Sequence, residues 1–197
     1  MPFKRIMYRL RRARLARLLG SLGEGSEIIR PEMLTGGQRV FVGQRVYIRA
    51  HARIECVDTP PYHGTIRIGD RTTAQFYFHC GAASEVTIGN DVLIAGRVYI
   101  SDHDHAWPGA EGELVTAPVS IGDGCWLGEG CAILKGVHLG PGCVVGANAV
   151  VTRSAPAGSM LVGVPARIVK RYDEKAGRWL SCDPQAELED QRAGTRP

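Results

Sequence analysis

The sequence predicts an all-β protein, a parallel β-solenoid of triangular coils. The first observation is a strict period of six in residues 119–151, where Ile121, Leu127, Ile133, Leu139, Val145 and Val151 hold the first place of each six. The second is what fills the other places: Cys125, Cys131, Val137, Cys143 and Ala149 are small or short apolar residues in the fifth, and Gly122, Gly128, Gly140 and Gly146 stand in the second. A helix needs apolar spacing near 3.6 and a half-buried strand needs alternation, so a period of six means a short strand and a sharp corner, repeated. The third is a recurring start signature: Val40-Phe41-Val42-Gly43, Ile66-Arg67-Ile68-Gly69, Val86-Thr87-Ile88-Gly89, Val119-Ser120-Ile121-Gly122 and Val137-His138-Leu139-Gly140. These starts lie 26, 20, 33 and 18 residues apart. Three sixes make a coil of 18, so about five coils follow, with insertions in those that exceed it.

Composition agrees. The chain has 197 residues, enough for one sizeable core, and its 25 glycines are about twice the ~7% usual share, which suits many tight corners. Six cysteines, at 56, 80, 125, 131, 143 and 182, show no C-x-x-C pairing, and three of them occupy the inward fifth place. They read as reduced buried thiols acting as small apolar residues. Cys125 and Cys143, 18 apart, are expected to stack one coil apart at about 4.8 Å.

In chain order, residues 1–25 come first as a basic helix. Lys4, Arg5, Arg9, Arg11, Arg12, Arg14 and Arg17 precede any acid, so the net charge of +4 hides a slightly acidic remainder. Ile6, Leu10, Ala13, Leu15, Leu18 and Leu22 form a loose apolar stripe at helical spacing. Two roles fit: a cap over the open solenoid end, whose unpaired strand edges invite association, or a helix lying on anionic lipid through residues 1–20. Nucleic-acid binding is not expected, because the arm lacks interleaved aromatics. Arginines interrupt every apolar run, leaving neither a signal peptide nor a membrane span, and the expectation is a cytoplasmic protein, peripheral at most at the inner face of the membrane.

The β-helix is expected over residues 26–170. A first insertion near Val57–Gly64 carries the Pro and Gly of an outward turn. The largest runs over residues 101–120 and interrupts a regular wall, and long excursions from compact scaffolds carry function more often than not. It opens with Asp102-His103-Asp104-His105 directly after a coil strand. Histidine titrates nearest neutrality and a neighbouring carboxylate fixes its tautomer, so this is the place for a general base. Two histidines on one side of an extended segment also fit a metal, but His51, His63, His79 and His138 are scattered without a helpful third spacing. Arg153, Arg167 and Lys170 then follow with no acid among them, suited either to a phosphate-bearing ligand or to a solvated face. Residues 171–197 are expected to form a short helix, with Trp179 and Leu180 packing back, and a disordered tail.

The stretch from Ile121 to Val137, the D-H-D-H loop and the closing V-V-T-R…G-V-P-A-R-I-V-K resemble the hexapeptide-repeat acyltransferases, nearest the maltose, galactoside and nodulation O-acetyltransferases and the related enzymes of polysaccharide biosynthesis. The resemblance covers residues 40–170. It implies a left-handed β-helix, an exception to the right-handed crossover rule, assembled as a homotrimer with an active site in each cleft between subunits. It implies acetyl-coenzyme A as donor, with no metal required, and a sugar hydroxyl as acceptor; the basic N-terminal arm, by bringing such an enzyme to a membrane surface, points to a nucleotide- or lipid-linked saccharide. Position by position, it maps the catalytic base to His103, with His105 as second choice. The indole maps to Trp126, the pantetheine contacts to Gly128, Glu129, Ala147 and Thr152, and the phosphate contacts to Arg153, Arg167 and Lys170. Where the family often has an Asn on the preceding coil, this chain has Tyr77 with Gln75 nearby, which leaves the oxyanion donor open. An amino-sugar N-acetyltransferase, a metalloenzyme resembling the γ-class carbonic anhydrases and a non-catalytic trimeric scaffold are the other readings; against the second, this chain has H-x-H where that family has H-x-x-x-x-H.

Overall fold

Every coil contributes one short strand to each of three parallel sheets, and the sheets are the three faces of a left-handed prism. The computed structural model describes residues 2–109 and 112–183, with side chains from Leu10 onward. The pairing follows the spacing read from sequence: Val40 pairs with Ile66, Ile66 with Val86 and Val86 with Val119 on the first face. Ser120 pairs with His138 one step of 18 later. One inward aliphatic per strand fills the interior, as in Ile48, Ile94, Leu127 and Val145 of the second face and Ile54, Ile100, Ile133 and Val151 of the third, all buried.

Two columns explain the corners. Ser26, Thr72, Cys125 and Cys143 point inward between faces, and each reaches a carbonyl of the next coil: Ser26 Oγ donates to Gly43 O (2.6 Å), Thr72 Oγ1 to Gly89 O (2.8 Å), Cys125 Sγ to Gly140 O (3.3 Å) and Cys143 Sγ to Pro156 O (3.2 Å). Small side chains with a donor fit there because a buried carbonyl needs a partner. Outside the same turns a ladder of Asp and Asn side-chain oxygens runs up the prism: Asp70 Oδ1 accepts from Gln44 N, Asn90 Oδ1 from Asp70 N and Asp123 Oδ1 from Asn90 N, each at 2.8 Å.

Three expectations are corrected. The solenoid has six coils and a closing strand, not five coils: a first coil begins at Ser21, pairing Ser21 with Phe41 and Leu22 with Val42, inside the segment assigned to the basic helix. Its start, Leu22-Gly23, keeps only the last two letters of the signature, because a terminal coil is packed from one side. The helix α1 is accordingly Pro2–Leu18. It caps the open end, with Leu15 and Leu19 in the hydrophobic core, while an Arg12 Nη2 donates to Gly23 O (3.0 Å) and Gln38 Nε2 to Arg17 O (2.9 Å).

The final segment is a β-hairpin rather than a helix, Ala166–Asp173 pairing antiparallel with Ser159–Gly163 and with Arg178–Ser181. Asp173 Oδ1 accepts from the Lys175 and Ala176 amides at 2.9 and 3.0 Å, and Gly177 takes a left-handed φ of 62°, a turn that outcompetes helix. Trp179 meets Tyr172 of its own hairpin edge-on. The tail expected to be disordered lies, from residue 184 on, outside the described residues.

Candidate active site

The third-face strand Tyr99–Ser101 ends with Ile100 in the core, and the next residue leaves the prism at the corner between third and first faces. Asp102 there is fully buried, so its charge must be met by the protein. Its Oδ1 accepts from Ala83 N and its Oδ2 from Ser84 N, both at 2.7 Å and both from the preceding coil. Oδ1 also lies 2.9 Å from His103 Nδ1. With both carboxylate oxygens turned to backbone donors, the contact at Nδ1 is satisfied by an Nδ1–H donating to Oδ1, the tautomer that leaves Nε2 without a proton. Ser101 Oγ donates to His103 O (2.8 Å) and accepts from His103 N (3.2 Å), which pins the backbone.

The excursion itself is a two-stranded ribbon, His103–His105 against Leu114–Thr116, with His105 opposite Leu114. Two clamps hold it. Lys135 Nζ, one coil on, donates to Asp104 Oδ2 (2.5 Å); Tyr62 Oη, on the hairpin Asp58–Thr59/Tyr62–His63, accepts from Leu114 N (2.7 Å) and donates to Leu114 O (3.2 Å). His103 is mostly covered, and His105 is exposed further out.

Beside His103 the third face presents Arg53, His79 and Tyr99 in one outward column. The Tyr99 ring meets His79 edge-on at 4.9 Å, and Glu55 Oε2 lies 3.9 Å from His79 Nε2. Burial first, then the Arg53 guanidinium and His103, hold the His79 imidazole below its ordinary pKa, against the pull of Glu55. Sequence reasoning passed over His79 as scattered. The signal was available: His79 and Tyr99 are 20 apart, the step that separates Ile66 from Val86.

The opposite edge of that face, the corner between second and third faces, gathers other expected residues. A Cβ on Gly128 would lie 2.7 Å from Ala147 N and from Val145 O, so only glycine lets these coils close; one on Gly146 would lie 2.9 Å from Val162 Cγ1. Val162 in turn pairs with Arg167. Gly128, Glu129, Ala147 and Arg167 thus follow one edge along the prism axis. Lower on that edge Gln75, Phe76, Tyr77, Arg97 and Glu129 line a recess of about 330 Å³, and Arg97 Nη1 donates to Glu129 Oε1 (2.8 Å). Gln75 and Tyr77 therefore lie at this corner, where Tyr77 stacks on His51 at 5.0 Å. Trp126 stands on the second face, half exposed, between Leu93 and Val144.

The three basic residues do not form one patch. Lys170 lies opposite Met160 on the second face near Arg167, whereas Thr152 and Arg153 follow the last third-face strand out at the corner that carries His103. Within one chain His103 and the Gly128–Arg167 edge flank the third face on opposite sides.

A six-residue parallel β-helix with a carboxylate-anchored histidine at one corner and a glycine-lined edge at another is the architecture of a coil-built acyltransferase. Residues 118–153 match the family model described as the hexapeptide repeat of succinyl-transferase. A putative lipopolysaccharide biosynthesis O-acetyl transferase of Escherichia coli is 38% identical over 128 residues, 59% of this chain and 65% of its own. A putative colanic acid biosynthesis acetyltransferase of the same organism is 30% identical over 135 residues, 68% of this chain and 70% of its own. Among solved structures, a galactoside acetyltransferase in complex with coenzyme A superposes with a TM-score of 0.60 at 26% identity, over 88% of this chain and 75% of that one. The chain belongs to the hexapeptide-repeat acetyltransferases. It spans 65% and 49% of the length of the first two curated relatives it matches.

Proposed function

We propose that the protein transfers an acetyl group from acetyl-coenzyme A to a saccharide hydroxyl, by direct attack with His103 as general base. The observation that carries this is the Asp102–His103 pair, in which a buried carboxylate fixes the tautomer and leaves Nε2 unprotonated beside an open face. Nε2 takes the hydroxyl proton as the oxygen attacks the thioester carbonyl; the tetrahedral oxyanion then collapses, and the proton passes from the imidazolium to the departing thiolate. No covalent enzyme intermediate is needed. The relatives named for lipopolysaccharide and colanic acid biosynthesis support a saccharide acceptor, and the coenzyme A complex of the galactoside enzyme supports the donor.

The Gly128–Ala147 edge, with its Cβ-free backbone, suits a pantetheine arm, Trp126 flanks it, and Arg167 and Lys170 stand at the end where the nucleotide phosphates would lie. Because His103 and Arg153 sit across the third face from that edge, a second chain completes each site, as expected of a homotrimer. At the other end of the prism, α1 exposes Leu10 and Leu18 near Arg11 and Arg14, an arrangement suited to an anionic membrane surface and hence to a lipid-linked acceptor. Coenzyme A thiol release over a panel of methyl glycosides and amino sugars tests the reading. Release with hydroxyl acceptors, abolished in His103→Ala, supports it; release only with amino sugars selects N-acetylation; and no release from any acceptor overturns it.

A further inference from the structure

Phe76, Gly96, Glu129 and Ala147 stand in one column at the corner between second and third faces, each a coil above the last. Arg97 N donates to Phe76 O (3.0 Å), Gly130 N to Gly96 O (2.9 Å) and Asn148 N to Glu129 O (2.8 Å). Gly96 brings no side chain to the column, and the recess of about 330 Å³ opens there, with Phe76 and Tyr77 on one side and the Arg97–Glu129 ion pair on the other. The backbone does not demand this glycine: its φ is not left-handed, and the atoms nearest a Cβ would be those of the Glu129 carboxylate, from 3.0 Å. The volume is at the low end for ligand sites, about 300 Å³, which suits a single ring. Two aromatic rings are left open to it, Phe76 44% and Tyr77 50% exposed. Tyr77 is held from both neighbouring coils, by His51 stacked at 5.0 Å and by the Arg97 guanidinium 6.0 Å from its centroid. Phe76 is backed by Arg49 of the coil below, at 5.2 Å, and toward Gly96 it lines the recess.

We propose that this recess seats the sugar ring of the acceptor, with the apolar C–H face of a pyranose on Phe76 and its hydroxyls on Glu129 and Gln75. A pyranose has an apolar face and a hydroxyl rim, so it needs an open aromatic surface beside a few fixed polar groups. The Glu129 carboxylate accepts from hydroxyls, and the Gln75 carboxamide both donates and accepts. Arg97 neutralises Glu129, so the recess suits an uncharged ring. The inference rests on the acetyl-transfer reading above and on its trimer. Gly96 and His103 belong to one coil, before and after the strand Tyr99–Ser101. A threefold axis parallel to the prism would therefore set the next chain's His103 at the height of this recess. Glu129 adjoins Gly128, so the thioester end of the donor edge would lie at the rim.

Saturation-transfer NMR with a panel of methyl glycosides, recorded without donor, tests the seat whether or not the protein turns over. Expected is saturation strongest on the C–H protons of one pyranose face, lost in Phe76→Ala, kept in Phe76→Trp and undisturbed by coenzyme A. Tm should not change, because the ring is half exposed. In steady-state kinetics Phe76→Ala should raise the glycoside KM about tenfold, the scale of a lost aromatic contact, with the KM for acetyl-coenzyme A within twofold and Phe76→Trp close to the parent. Glycoside signals as strong in Phe76→Ala as in the parent, their displacement by coenzyme A or by uridine, or no signal from any glycoside overturn the proposal. Thiol release to glycosides that persists alongside any of those results leaves the acetyl-transfer reading standing. The expected NMR pattern with no glycoside acetylated overturns that reading instead, while the sugar seat stands.

Discussion

His103 can act as a base only while its other nitrogen is held, and the two aspartates flanking it divide the work. Asp102 is buried and takes two amides and the imidazole, whereas Asp104 is turned outward to Lys135. His103→Ala should lower kcat by about 10²–10⁴-fold, the usual worth of general-base catalysis, with coenzyme A affinity retained. His105→Ala, at an exposed position two residues further along the ribbon, should chiefly change acceptor KM; steady-state kinetics on both variants separates them, and the reverse pattern would move the base to His105. Asp102→Asn keeps the shape but offers one acceptor oxygen to two amides, so kcat and stability should fall together. The D-H-D-H motif made the loop legible from sequence, but which carboxylate was buried depended on the Ala83 and Ser84 amides of another coil. Five of the six cysteines were legible as buried thiols and Cys182 was not, being exposed: burial pushes Cys131 up to about 12, and Cys125 is raised by its hydrogen bond with the Cys143 neighbour and by burial, while the same hydrogen bond lowers Cys143 to about 7. A thiol reagent should therefore label the exposed Cys182 in native protein and the other five only after denaturation.

At the scale of elements, six-residue periodicity specified the coils because each coil's strand, corner and inward side chain recur in sequence. Where that recurrence was broken, at the first coil and in the closing hairpin, local composition misled. Ser21-Leu22-Gly23 lacks the leading aliphatic, and Tyr172 to Leu180 contains good helix formers whose backbone is instead claimed by the Asp173 turn. The end cap follows from the same physics, since the first coil's edge would otherwise stand unpaired. Leu15→Ala should destabilise by about 2–3 kcal/mol, the lower part of the range for a buried leucine, as read by chemical denaturation. Replacing Arg14, whose side chain lines the groove beside Leu18, tests the surface role independently of the cap. Arg14→Glu should weaken binding to phosphatidylserine vesicles at low salt by more than the ~1 kcal/mol expected for one lost basic residue, since it also adds a repelling charge, with Tm unchanged. Unaltered vesicle binding would leave the helix as a cap alone.

On the scale of the whole molecule, the prism sets a constraint that no residue list reveals. The edge from Gly128 to Arg167, proposed for the pantetheine, and the His103 corner bound the third face on opposite sides, while under that proposal the sulfur at the end of the pantetheine must come within reach of His103. In the proposed trimer, a second chain related by the threefold axis would bring its edge to the first chain's histidine, and closure of the ring would repeat that contact three times. Two separately inactive chains should therefore complement each other. His103→Ala lacks the base but keeps the edge; Ala147→Trp blocks the exposed edge but keeps the base. After unfolding and refolding an equimolar mixture, one interface in four joins an intact histidine to an intact edge, so about a quarter of parental activity should return, whereas each variant refolded alone stays inactive. Recovery near zero would mean that each chain builds its own site, and the assignment of Gly128, Ala147 and Arg167 to the donor would fall with the trimeric cleft.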